Sequence, residues 1–104
     1  MTIEEHAKAV TVPGTVVFHF KRMFCTDEEL AREPNMYLYQ VIGITEHTET
    51  KERLVAYRAL YGDRKIYARP YDMFVSPIDR ERYPDHDGTL YRLDVWNGSV
   101  VENN

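Results

Sequence analysis

The chain has 104 residues, 43% of them hydrophobic and 29% charged, with a formal net charge of −4. These values suit one globular domain. They argue against a broadly basic duplex-binding surface, and no apolar run approaches the ~20 residues of a membrane helix. The one cysteine, Cys25, excludes an internal disulfide and points to a reducing, cytoplasmic setting.

Residues 1–13 read as an N-terminal extension. Its acidic start, MTIEEHAKAV, is not a secretory signal. Thr2 and Glu5 have capping-box spacing, so a short helix over 3–9 competes with disorder. Val12-Pro13-Gly14 breaks it. TVVFHF (15–20) alternates, with Val16, Phe18 and Phe20 on one face and Val17 and His19 on the other, as in a strand. In 24–36, Thr26 and Glu29 repeat the capping-box spacing and Pro34 stops the helix, predicting one or two helical turns within a loop.

YLYQVIGITEH (37–47) is aromatic and β-branched, a second strand with Gly43 marking a bulge or bend. A polar turn at 48–52 leads to two more strands, RLVAYRAL (53–60) and KIYAR (65–69). YDMF (71–74) reads as a single helical turn after Pro70. Residues 76–88 are loop, TLYRLDVW (89–96) is the last strand, and 97–104 form a tail. The fold class is mainly β. Five short strands with close connections predict a small closed or half-open barrel over 14–96, with a short helical insertion.

Charge is unevenly spread. Residues 51–71 carry six cations (Lys51, Arg53, Arg58, Arg64, Lys65 and Arg69) against Glu52 and Asp63. That is a local balance of +4 in an otherwise acidic chain. Gly62-Asp63 between two strand-like runs signals a two-residue hairpin turn, with Gly62 supplying the positive φ. In that register Arg58 faces Tyr67, and Val55, Tyr57, Ala59, Tyr61, Ile66 and Ala68 face the core. Arg58, Lys65, Tyr67 and Arg69 then share the outer face. A three-residue loop would break this arrangement. The plain reading is a solvated face with stacking and local ion pairs. The functional reading is an anion-preferring contact surface, because three cations beside a tyrosine repel one another unless an anion joins them.

Other candidates are weaker. Cys25 precedes a candidate helix start, with His19 as its conceivable base, but no third orienting group is identifiable, and a semi-buried thiol is the plainer reading. His6, His19, His47 and His86 share no ligand spacing, so neither a metal nor a cofactor is expected. His47 and Glu49 suit a turn held by side-chain hydrogen bonds. Asp85, His86 and Asp87 read as a flexible acidic loop rather than a cation site. Aromatics such as Tyr57, Tyr61, Phe74 and Trp96 read as core or core edge.

The segments HFK (19–21), YQVIG (39–43), HTET (47–50), VAYRALYGD (55–63), ARPYDMF (68–74) and YRL (91–93) resemble an uncharacterised bacterial family, domain of unknown function 1653. The resemblance implies a small SH3-like barrel and a cytoplasmic bacterial protein, and it implies no activity. The chain departs from the family pattern in its longer segment between HFK and YLYQ.

The expectation is a non-enzymatic binding module whose ligand is an acidic protein segment, a nucleotide or single-stranded nucleic acid, and no membrane. One alternative is a small enzyme using Arg58, Asp63 and Arg69 on an anionic substrate, although no convincing nucleophile or base is visible. The other is a structural domain that forms a homo-oligomer through an edge strand.

Overall fold

The computed structural model describes residues 2–84 and 90–102. Five strands form one antiparallel sheet: β1 (Val16–His19), β2 (Leu38–Glu46), β3 (Arg53–Ala59), β4 (Ile66–Pro70) and β5 (Leu93–Val95). The order across the sheet is β4-β3-β2-β1-β5. Three short helices accompany it: α1 (Ile3–Ala9), α2 (Asp27–Arg32) and α3 (Tyr71–Phe74). The mainly β class expected from the alternating segments is present.

The barrel is not closed. Among the described residues no ladder joins β4 to β5. The chain ahead of β5 spends its backbone groups elsewhere: Ile78 N–H donates to the Leu90 carbonyl and Arg92 N–H to that of Ser76, at 2.9 and 3.0 Å. At the end of β4, Pro70 has no N–H to offer. A gap therefore remains between the two edge strands.

Cross-strand partners define the inner face of the sheet. Val17 lies opposite Tyr39 and Val95, His19 opposite Leu93, Val41 opposite Tyr57, and Val55 opposite Arg69. The core occupies part of this face. Val17, Val41, Val55, Tyr57 and Leu93 are joined there by Val10 after α1 and by Phe74 of α3. Helix α1 has the full Thr2/Glu5 capping box. Its His6 is buried, stacked on Tyr91 with centroids 3.5 Å apart and 3.8 Å from the Asp94 carboxylate. The segment 2–13 thus supplies core side chains despite its polar composition. Gly43 sits at a register shift in β2, where the ladder to β3 skips a residue after Val41.

Residues 24–36 contain the helical turns that the second capping box predicts, with Thr26 and Glu29 exchanging both bonds. A 3-10 turn, Phe20–Phe24, precedes them. Arg22 fixes the loop by donating from Nη1 to the Pro34 and Met36 carbonyls at 3.0 and 2.7 Å, and its guanidinium lies over the Trp96 ring. Asn35 is buried and binds the C-terminal segment. It donates to the Val101 carbonyl at 2.6 Å and accepts from the Val101 N–H at 2.9 Å. At the HTET turn, His47 Nδ1 accepts from the Glu49 and Thr50 N–H groups, both at 3.2 Å.

Candidate functional site

The hairpin that carries the candidate residues has a different register from the one its sequence suggests. Gly62 has φ +59, but Arg64 is also left-handed, at φ +55. Arg64 N–H closes the turn on the Tyr61 carbonyl at 3.1 Å, and Ala59 N–H reaches the Lys65 carbonyl at 3.0 Å. The loop has an odd number of residues, because Arg64 is inserted as a bulge. A one-residue shift moves every β4 side chain to the other face. Tyr67 therefore pairs with Tyr57, and Arg58 pairs with Ile66.

The four expected contact residues are divided by this shift. Tyr67 and Arg69 are on the inner face, whereas Arg58 is exposed on the outer one, beside Gln40 and Ile66. The expected stacking of Arg58 on Tyr67 does not form. Lys65 is exposed at the hairpin mouth, 3.9 Å from the carboxylate of Asp63. Ile66 and Ala68, expected in the core, are exposed instead.

Two open clefts flank Arg69. The first, of about 390 Å³, is walled by Tyr39, Tyr57, Tyr61 and Tyr67, with Gly62 and Asp63 at the turn. The Tyr39 and Tyr61 hydroxyls share a hydrogen bond of 2.8 Å. Burial raises the pKa of both phenols, so both stay protonated at neutral pH. The second cleft, of about 190 Å³, occupies the gap between the sheet edges. Its charged lining comprises Lys21, Arg69, Arg82 and Arg92 against Asp79 alone.

Asp79 is already engaged, its Oδ1 accepting from the Glu81 and Arg82 N–H groups. Arg69 makes no ion pair among the described residues, and its Nη1 is buried without a hydrogen-bond partner. His19 lines the same cleft. Burial first, then the charges of Arg69, Lys21 and Arg92, push its pKa down to about 4. Its Nδ1 accepts from the Lys21 N–H at 3.1 Å, so the neutral ring carries its proton on Nε2 and can donate there.

Sequence reasoning reached Arg69 and Tyr67 but missed His19, Lys21 and Arg92 as their companions. A usable signal existed, since all three residues of HFK line the cleft and ARP and YRL supply one each, Arg69 and Arg92. Only the curl of the sheet shows that these three short segments meet. The Cys25–His19 pairing does not form. The Cys25 thiol contacts the Lys21 carbonyl at 3.8 Å, and burial and Glu29 raise its pKa. Asp85, His86 and Asp87 lie outside the described residues. Among the described residues, no helix is long and apolar enough to cross a membrane.

No curated protein and no solved structure matches the chain. The family model described as "Protein of unknown function (DUF1653)" matches residues 16–92, most of the sequence, and the chain belongs to that family.

Proposed function

We propose that this protein is a non-enzymatic binding module whose inner sheet face takes an anionic ligand, with Arg69 as the principal contact. The reading rests on the Arg69 guanidinium, which is partly desolvated, has one buried N–H group without a partner and makes no ion pair among the described residues. An unpaired cation out of water is costly, and an anion supplying charge and acceptors relieves that cost. The surrounding charge supports the reading: Lys21, Arg82 and Arg92 line the same cleft, and the charges of Arg69, Lys21 and Arg92 add to burial in depressing the His19 pKa.

The chemistry of the cleft favours binding over catalysis. Cys25 is held as a thiol, and His19 Nδ1, the atom that would act as base, is occupied. The strand order, with α3 between β4 and β5, supports an opened SH3-like scaffold.

Thermal unfolding with inorganic phosphate, pyrophosphate, citrate and acidic peptides tests the proposal. A ligand of the native state raises the melting temperature as its concentration passes its dissociation constant, and the rise should shrink with added salt. Arg69→Gln should lose the response. An equal response in Arg69→Gln, or none to any anion in the parent protein, overturns the proposal.

A further inference from the structure

The tyrosine cleft adjoins the cationic one at Arg69, and its chemistry differs. A cation is disfavoured there, since Arg69 lines it and its carboxylate, Asp63, is 84% exposed and beside Lys65. A neutral planar ring is well served. Tyr67 is 47% exposed and backed by Tyr57, with ring centroids 5.9 Å apart at a tilt of 32°. Tyr61 stands on the opposite side of the turn, packed edge-on against Tyr39 with centroids 5.6 Å apart. The Tyr39–Tyr61 hydroxyl pair uses one proton between its members, whichever donates, and leaves the other for an outside acceptor. The cleft's volume of about 390 Å³ falls within the ~300–1,000 Å³ of small-molecule sites.

We propose that the two clefts form one site for a nucleoside monophosphate, with the base against Tyr61 and Tyr67 and the phosphate on Arg69 at the mouth of the cationic cleft. This deepens the anion-binding reading and rests on it. The smaller cleft, about 190 Å³, has room for one compact anionic group beside Lys21 and Arg92, and His19 Nε2–H adds a neutral donor. The spare phenolic proton meets a ring nitrogen or carbonyl of the base. The same chemistry is offered by a free nucleotide and by the 5′-phosphorylated end of a single strand.

Calorimetry of the full chain with adenosine 5′-monophosphate, adenosine and inorganic phosphate separates the contributions. The nucleotide should bind about tenfold or more tightly than phosphate, the usual contribution of one stacked base. Tyr67→Ala should reduce the nucleotide to the affinity of phosphate and leave phosphate unchanged. Arg69→Gln should reduce it to that of adenosine. Upfield ring-current shifts of the base protons, lost in Tyr67→Leu, report stacking even if the alanine variant folds poorly. Comparing the mononucleotide with a 5′-phosphorylated trinucleotide identifies the source: tighter binding of the former supports a free nucleotide, and parity or better for the latter supports a strand end. Equal affinity for nucleotide and phosphate overturns the ring assignment while the anion reading stands. No binding of either at low salt overturns both.

Discussion

Tyr67 stands directly opposite Tyr57 across β3 and β4, and this pairing carries Arg69 to the inner face, opposite Val55. The two tyrosines share a face but not an environment, since Tyr57 is 7% exposed and Tyr67 47%. Tyr57→Ala should therefore cost ~3–5 kcal/mol of stability, and Tyr67→Ala under ~1.5 kcal/mol. Denaturant midpoints of the two variants check this. A costly Tyr67→Ala together with a harmless Tyr57→Ala would reverse their assigned environments.

Gly62 turns the chain at φ +59, with open space where a Cβ would point. The penalty for a side chain there is conformational rather than steric. Gly62→Val should destabilise by ~1–2 kcal/mol, because a β-branched residue is strained in the left-handed region. An unchanged midpoint would mean that the turn can relax into another type.

Asn35 ties the C-terminal segment to the loop after α2 through both of its bonds to Val101. Asn35→Ala should cost ~1–3 kcal/mol by removing two hydrogen bonds at a buried position. The same variant should make residues 97–102 more readily cleaved by carboxypeptidase. Parent-like stability and cleavage would show that the strap is held by other contacts.

Stability should depend on pH through the buried His6 and the half-buried His19. Burial lowers the pKa of both His6 and His19, the latter to about 4. The unfolded chain, with histidine near pH 6.5, then binds more protons than the folded one between these values. The contribution is fully present above pH ~6.5 and is lost as pH falls through the folded pKa, with a slope of at most ~1.4 kcal/mol per pH unit for each histidine. Urea midpoints between pH 7 and 4 should fall, and His19→Gln should flatten the decline. A flat profile in the parent protein would contradict the desolvation of both rings.

Much of the fold was legible in the chain because its signals are local. Alternation marked the strands, Thr2/Glu5 and Thr26/Glu29 marked α1 and α2, and Gly43 marked the irregularity in β2. The site was half legible. Gly62-Asp63 announced a turn, but the register hung on Arg64, and nothing in an arginine advertises a left-handed bulge. That residue moved Tyr67 and Arg69 inward and left Arg58 outside. The other half of the site depends on how far the sheet curls, which brings His19, Arg69 and Arg92 together from three distant segments. Val10 and Phe74 pack against the inner face of the curled sheet, and the Gly43 bulge alone does not say which distant segments meet there.

An anion that enters the cleft beside Arg69 is reported directly by the His19 imidazole. Its pKa, measured by NMR titration of the ring proton and carbon signals, should be about 4 in the free protein. With saturating pyrophosphate, bound negative charge should offset the cations and the pKa should rise, by linkage making pyrophosphate bind more tightly as pH falls. An imidazole that titrates identically with and without the anion would mean that no anion binds beside Arg69.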